Sequence, residues 1–238
     1  PWLEKENLIA ERELLGIYMT GHPLTRYRRI IKDLQTFSLL KIADASDNKD
    51  IRVAGMAAAV SRRISKQTKE PWAIINLDDG ETNIEVLVFS EAFKKFEGAC
   101  VPDSPVLICG TLSKRDDQPK IIAREVYPLM DAPRMFGEKV VTAIKISDGQ
   151  ALKRIDGLRK LVDKYPGTIP LLVCLMYPDK KRVLVQPSRS LTIDPSSDFI
   201  AEAEALLGRN SMKFVAKKEI YKEPRPERRW SRDRAAAS

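Results

Sequence analysis

Residues 59–89, AVSRRISKQTKEPWAIINLDDGETNIEVLVF, decide the fold class of this 238-residue chain. Two apolar runs, WAIINL and NIEVLVF, flank the acidic turn DDG at residues 78–80. This composition is typical of a tight hairpin between two strands. The stretch that precedes the hairpin, residues 62–69, carries four positive charges and no negative charge. The pattern predicts a small β structure with a basic arm beside its first hairpin.

The sequence on both sides extends this hairpin to five strands. IRVAGMAAAVSRRIS (51–65) predicts a long first strand, with Gly55 at a bend or bulge. After the hairpin come a short helix in SEAFKKFEG and two strands, PVLICGTLSKR (105–115) and KIIAREVYPL (120–129). Five strands with a helix between the third and the fourth have the order of a five-stranded OB barrel, a nucleic-acid-binding fold.

The N-terminal part predicts a short helix pair. LEKENLIAERELLGIYMT (3–20) has helical spacing, and the Gly-His-Pro turn that follows is a helix stop. LTRYRRIIKDLQ (24–35) predicts a second helix with an apolar face of Leu24, Tyr27, Ile31 and Leu34. Its opposite face is basic, either as a solvated surface or as a phosphate contact, and consists of Arg26, Arg28, Arg29 and Lys32.

The C-terminal part predicts a β-α-β-β-β-α-β order and therefore a small two-layer α+β domain. In its first helix, GQALKRIDGLRKLVDKYP, we expect Leu152, Ile155, Leu158 and Leu161 to face inward. The chain as a whole is thus predicted to be α+β and multidomain. Its parts are a helical segment (1–45), an OB-fold domain (46–130), an α+β terminal domain (131–216) and a disordered basic tail (217–238).

The net charge of +8 is weak evidence for a nucleic-acid partner, because of where the charge lies. Residues 217–234 hold eight Lys and Arg against four Asp and Glu, which is half of the excess. Residues 51–130 balance eleven against eleven. The local placement of the cations must therefore carry the argument.

The sequence contains few residues that indicate an enzyme. P-loop, GxGxxG, HExxH and CxxC motifs are absent, and the single histidine, His22, excludes a metal site with several histidine ligands. The acidic pairs at 78–79 and 116–117 sit in turns that favour aspartate, so we expect no metal, cofactor or catalytic residue. The three cysteines predict buried, reduced thiols of a cytoplasmic protein. Neither a membrane span nor a signal peptide is expected.

The candidate site lies on the barrel. A single-strand binder needs a positive groove for phosphates and aromatic faces on which bases stack. In OB folds the strand 2–3 face and the neighbouring loops supply both. We expect Phe89 to belong to the core, because it ends an apolar strand. The predicted nucleic-acid-binding residues are Arg62, Arg63, Lys66, Lys69 and Trp72, with Lys114 and Arg115 as the opposite wall.

Three stretches carry a family resemblance. ERELLGIYMTGHPL (11–24), the run from IRVAGM to EAFKKF (51–96) and PVLICGTLSKRDDQPKIIAREV (105–126) resemble the C-terminal region of the bacterial DNA polymerase III alpha subunits, a family of C-family replicative polymerases. Residues 167–208 resemble the terminal domain of that family more loosely. Because the chain begins at Pro1 without a methionine, we expect it to be a piece of a longer protein.

The resemblance implies a function that composition does not supply. It implies that the OB domain contacts single-stranded template DNA and that the terminal domain docks on the clamp-loader tau subunit. It also implies that the parent protein is a DNA-directed DNA polymerase whose catalytic and sliding-clamp-binding residues lie upstream. Three alternatives stay open: a free-standing single-strand binder, an RNA-binding OB module and an error-prone paralogue of the same family.

Overall fold

The computed structural model describes residues 23–42, 44–115, 118–146, 149–185 and 191–222. The first predicted helix (3–20), Asp116 and Asp117, and residues 223–238 of the predicted tail lie outside the described residues. The class is α+β, with a closed five-stranded barrel and a second, five-stranded sheet. The predicted fold class and OB barrel are confirmed. No helix among the described residues is long and apolar enough to cross a membrane.

The barrel closes in the strand order β1-β2-β3-β5-β4. A helix, α2 (Ser90–Phe96), follows the third strand as predicted. Along β2 and β3 every second side chain is buried, because successive residues of a strand point to opposite faces. The five strands are β1 (Asp50–Ile64), β2 (Pro71–Asp78), β3 (Asn83–Val88), β4 (Ser104–Ser113) and β5 (Lys120–Pro128).

Strand β1 is shared between two partners along its length. It pairs with β4 from Asp50 to Ala57 and with β2 from Met56 to Ile64, and a register shift lies between Ala57 and Ala59. The predicted bulge is thus not at Gly55 but three residues later. Gly55 is needed for another reason, since a Cβ atom there would lie 2.8 Å from the side chain of Leu77. Residues 51–57 are all buried, whereas most of residues 58–64 are exposed.

The second sheet has the order β10-β6-β7-β8, with β9 paired to β7. The strand pair β6–β7 is parallel, and β10–β6 and β7–β8 are antiparallel. The elements follow the predicted β-α-β-β-β-α-β order. Their bounds are β6 (Gly137–Lys145), α4 (Ala151–Lys164), β7 (Pro166–Met176), β8 (Arg182–Val185), β9 (Thr192–Ile193), α5 (Ser197–Leu207) and β10 (Met212–Ala216).

The inward face predicted for α4 is wrong in its first half. Leu158 and Leu161 are buried, but Leu152 is 76% exposed and Ile155 is 39% exposed. Helix α4 packs closely on α5 at Gly157, where a Cβ atom would lie 2.8 Å from the Leu206 side chain. Leu152 and Ile155 therefore stay in solvent, although Ala151 in the first turn packs against the core.

Two short helices join the barrel to the second sheet. Helix α1 (Arg28–Leu34) packs against β10, and its Asp33 accepts a hydrogen bond of 2.8 Å from the backbone N–H of Phe214. Helix α3 (Ala132–Phe136) lies between the last barrel strand and β6. Buried residues of α1, β1, β4, α3 and the second sheet form one continuous core, and a second core fills the barrel.

Arg52 anchors this junction. Its guanidinium is fully buried, donates hydrogen bonds to the carbonyl oxygens of Leu34 (2.6 Å), Glu219 (2.9 Å) and Lys217 (3.5 Å), and lies 4.5 Å above the Phe136 ring. Burial lowers the pKa of Arg52. Carbonyl acceptors and an aromatic face replace the water that a buried cation loses.

The first six residues of the predicted tail, 217–222, contact the barrel. The backbone N–H of Lys222 donates to the Glu125 carboxylate over 2.9 Å. The Tyr221 hydroxyl donates to Asp50 over 2.8 Å, and the Arg124 guanidinium lies 3.9 Å from the Tyr221 ring centroid. We call residues 217–222 the strap. These contacts compensate for its low apolar content, which had suggested disorder.

Candidate nucleic-acid interface

The barrel has two outer faces with different surroundings. The covered face, formed by Arg52, Ala54 and Met56 of β1 and Leu107 and Cys109 of β4, is buried beneath α1, the strap and the second sheet. The open face is the outer side of β2 and β3 together with the end of β1. The open face presents side chains to solvent whereas the covered face does not, so of these two faces the open one is available to a ligand.

Three side chains form a row across the open face. Arg63 lies opposite Trp72 in the β1–β2 pair, and Phe89 follows the last β2–β3 pair, Ala73 with Val88. The ring centroids of Trp72 and Phe89 are 6.1 Å apart, and their planes are tilted by 30°. A cation beside two neighbouring aromatic rings is the combination on which a phosphate and stacked bases bind.

Phe89 is not a core residue, which corrects the prediction. Its side chain is 48% exposed, whereas the preceding Val88 is fully buried. The buried positions Ile84, Val86 and Val88 follow a period of two, and the next outward position is Phe89. The period of two in the sequence already places Phe89 on the outward side. The prediction of a core position rested instead on the apolar composition of the strand.

The β1–β2 loop holds the rest of the basic arm in a tight turn. The backbone N–H of Ser65 donates to the Glu70 carbonyl, and that of Lys69 donates to the Ser65 carbonyl, both over 2.9 Å. Lys69 adopts the left-handed conformation, with φ of 58°. Arg63, Lys66 and Lys69 are exposed. A closed loop thus projects two lysine side chains beside the aromatic row.

The arm cations differ in their ion pairing. Arg62 forms an ion pair of 3.1 Å with Glu97, and its guanidinium lies 5.8 Å from the ring centroid of the buried Phe93. Glu70, at the end of the loop, pairs with Lys94 of α2. Within the described part of the chain, Arg63, Lys66 and Lys69 form no ion pair. These three cations are therefore the part of the arm that an external phosphate can engage.

Lys114 and Arg115 lie at the other end of the open face. The backbone N–H of Lys114 donates to Asp47 over 2.8 Å, beyond the last β4–β5 pair, Ser113 with Lys120. Lys120 shares a cross-strand row with Asn76, which lies about 13 Å along β2 from Trp72 at the usual rise per residue. The structure therefore does not bring Lys114 and Arg115 together with the basic arm. The two groups of cations lie at opposite ends of the open face.

A partly exposed apolar floor connects the two ends. Ile74, Leu87 and Ile122 lie side by side in adjacent strands, one row away from Trp72 and Phe89. All three are partly exposed. Isoleucine and leucine that alternate in a strand usually belong to a core, so residue type alone does not mark these three side chains as outward-facing. Their outward register extends the apolar surface that nucleobases can contact.

The acidic turn residues and Cys100 have structural surroundings. Asp78 and Asp79 accept hydrogen bonds from the backbone N–H groups of Gly80 (2.8 Å) and Thr82 (2.9 Å), as predicted for turn residues. No group of three or more His, Cys, Asp or Glu side chains in the described ranges is placed to hold a metal. Burial raises the pKa of Cys100 to about 11, which keeps this thiol protonated and unreactive.

Comparisons with known proteins agree with this architecture. The family described as an OB-fold nucleic acid binding domain (tRNA_anti-codon) matches residues 51–129. DNA polymerase III subunit alpha of Mycobacterium leprae (strain TN) is 28% identical over 209 residues, covering 87% of this chain and 18% of the relative. The subunit of the same name from Vibrio cholerae is 28% identical over 217 residues, covering 90% and 18%. The chain thus spans less than a fifth of the length of these relatives.

Among solved structures, the OBody AM1L10 bound to hen egg-white lysozyme is 18% identical, with a TM-score of 0.32, and the likeness covers 39% of this chain and 91% of that one. RecG bound to a three-way DNA junction is also 18% identical, with a TM-score of 0.32, over 49% of this chain and 16% of that one.

Proposed function

The chain corresponds to a segment of the DNA polymerase III alpha-subunit family, and on this premise we propose that it is a non-catalytic accessory region of a replicative DNA polymerase. In this role the open face of the barrel contacts single-stranded template DNA. The second sheet docks the polymerase on the clamp-loader tau subunit. Polymerisation and sliding-clamp binding belong to parts of the longer protein outside these residues.

The row Arg63, Trp72 and Phe89 is the observation that carries the template contact. The partly exposed ring of Trp72 and the exposed ring of Phe89 lie side by side and offer stacking surfaces that tolerate any base, as a template contact requires. Arg63, Lys66 and Lys69 supply the adjacent positive charge. Because Arg62 is compensated by Glu97 and residues 51–130 carry no net charge, the contact is local and modest in affinity. It positions the template within a larger complex.

The test is a fluorescence-anisotropy titration of labelled single-stranded DNA at several salt concentrations. The arm variant replaces Arg63, Lys66 and Lys69 by alanine, and Arg62 is left in place because it binds Glu97. The matched control replaces three exposed cations of α4, Lys153, Arg159 and Lys160, and so changes the net charge equally. A third protein ends at Lys222 and keeps the strap.

The proposal predicts that the arm variant binds more weakly and that its salt slope is smaller by about 2, from roughly 0.7 counterions released per phosphate contact. The α4 control and the shortened chain retain most of the affinity. If only the shortened chain loses affinity, the tail supplies generic attraction and the proposed template contact is wrong.

RNA binding is the second candidate, because the family that matches residues 51–129 carries the name tRNA_anti-codon. The same titration with DNA and RNA oligonucleotides of identical sequence separates the two functions. Equal affinity or a DNA preference agrees with the template role. A strong RNA preference indicates recognition of ribose 2′-hydroxyl groups and favours the RNA-binding function.

A further inference from the structure

The second sheet has an open side that the OB interface does not use. Residues directly opposite each other in paired strands point to the same side, so the register defines this surface. Val141 lies opposite Leu172, Ala143 opposite Cys174 and Cys174 opposite Leu184. Met176 continues the row on β7. We call this surface the sheet face: Val141, Ala143, Leu172, Cys174, Met176 and Leu184.

At β10, β6 and the first part of β7 the two sides of the sheet differ in burial, whereas at β8 both sides are open, with Val183 47% and Val185 36% exposed on the side opposite Leu184. Val140, Ile144, Leu171 and Phe214, which point to the other side, are at most 3% exposed and belong to the core with α1, α4 and α5. On the sheet face, Leu184 is 57% exposed, and the other five residues are partly exposed. A group of adjacent apolar side chains of this kind, in contact with water, marks an interaction surface.

Cations surround this apolar centre. Lys145, Arg182 and Lys213 are exposed at the ends of the neighbouring rows, opposite or beside Met176 and Val141. Lys139, also on this side, lies 3.7 Å from the carboxylate of Glu138. Among the described strand residues, none that points to this side is Asp or Glu. The sheet face is thus apolar at its centre and positive at its edge.

This chemistry selects the kind of partner. A nucleic acid would need aromatic rings for stacking, and the described strand residues on this side include no Phe, Tyr or Trp. Aliphatic and sulfur-containing side chains ringed by cations match a protein segment with apolar side chains flanked by carboxylates. We infer that the sheet face is a docking surface for an acidic amphipathic segment of a partner protein, an inference that rests on the proposed assembly role of this domain.

Cys174 supplies a built-in reporter at the centre of the sheet face. It is partly exposed, whereas Cys100 and Cys109 are at most 1% exposed, and burial raises the pKa of both of these thiols. N-ethylmaleimide followed by peptide mass spectrometry therefore measures access to Cys174 in the full chain. The probe is a synthetic helix-forming peptide with leucines on one side and glutamates on the other. The control peptide carries lysines in place of the glutamates.

The inference predicts rapid labelling of Cys174 in the free chain and several-fold slower labelling with the glutamate peptide alone. The variant K145E/R182E/K213E changes exposed residues only and reverses this preference, so that the lysine peptide now protects Cys174. Slow labelling in the free chain means that the surface is already covered by other parts of the chain, and it overturns the inference. Equal protection by both peptides, or by neither, also overturns it.

The test of the sheet face can fail or succeed independently of the proposed template and tau contacts. Single-stranded DNA binding by K145E/R182E/K213E is expected to stay within twofold of the unmodified chain, because the open face of the barrel is untouched. If the glutamate peptide protects Cys174 while purified tau does not bind, the sheet face has an acidic partner and the tau assignment is wrong. If tau binds equally to the unmodified chain and the variant, it docks elsewhere.

Discussion

The two outer faces of the barrel use the same residue types for different purposes. On the covered face, Arg52 is fully buried and holds three backbone carbonyl groups of α1 and the strap. On the open face, Arg63 extends from the same strand into solvent beside Trp72. Along β1 the residues change from buried to exposed after the bulge, where the strand no longer pairs with β4. Burial, more than residue type, therefore separates a structural cation from one that is available to a ligand.

The largest effect is expected on stability when Arg52 is replaced. R52M keeps much of the side-chain volume but leaves the carbonyl groups of Leu34, Lys217 and Glu219 without their donor. We expect the free energy of unfolding to fall by about 3 kcal/mol: three hydrogen bonds to a charged group are lost, at about 1.5–3 kcal/mol each, but methionine avoids the cost of burying a charge. Urea denaturation of the full chain measures this loss.

R62M is the matched control on the same strand. Arg62 is exposed, and its ion pair with Glu97 lies in solvent, so we expect a change below about 0.5 kcal/mol. If R52M and R62M lose the same free energy of unfolding, the proposed difference between the buried and the exposed arginine is wrong.

The next effect is expected on DNA binding and is confined to the open face. W72A and F89A each remove one stacking surface, which is worth about 1–3 kcal/mol per base, or roughly 5- to 150-fold in affinity. Y177A serves as the control. It removes an aromatic side chain in the hairpin between β7 and β8, and the exposure of Tyr177, 41%, is close to the 48% of Phe89. Anisotropy with single-stranded DNA measures all three. An equal loss in Y177A would show that the aromatic row has no special part.

A smaller effect on stability tests the strap. Y221F removes the hydrogen bond of 2.8 Å to Asp50 and the contact with Thr111 (3.3 Å), and we expect a loss of about 1–2 kcal/mol. Urea denaturation measures it, and Y177F is the control, with an expected change below about 0.5 kcal/mol.

The Tyr221 contribution also depends on pH. Burial raises the pKa of Tyr221 in the folded protein, so the unfolded chain loses this proton first. The stabilisation is therefore complete below the unfolded pKa of about 10 and declines as the pH rises further. The difference in stability between the unmodified chain and Y221F should narrow above pH 10. A difference that widens there contradicts this account of Tyr221.

The sequence predicts the barrel well because its strands carry local signals. The DDG turn and the period of two in β2 and β3 specify the hairpin and its register. Local pattern does not distinguish Arg52 from Arg62, because both are charged residues in a β-branched and alanine-rich strand. Arg52 is covered by Leu34 of α1, by Phe136 and by the strap, which lies more than 160 residues away in sequence. Such a contact leaves no trace in strand periodicity.

The candidate site was predicted in part. Residue type and loop position located the arm and Trp72, and register then joined them to Phe89, which the apolar strand pattern had assigned to the core. Ion pairing could not be predicted, because Glu97 reaches Arg62 from beyond α2. Because ion pairing is not visible in the local sequence, the four arm cations were predicted as equivalent. The structure separates them into one compensated arginine and three cations without an ion pair among the described residues.

The most direct test of the template contact is the fluorescence of Trp72 itself. The chain has three tryptophans, and replacing Trp2 and Trp230, which lie outside the described residues, by phenylalanine leaves Trp72 as the sole reporter. Titration with oligothymidylate is expected to quench Trp72 emission with the same midpoint as the anisotropy change. DNA binding that raises anisotropy while Trp72 emission stays constant would show that the strand binds elsewhere, and it would contradict the open face as the template contact.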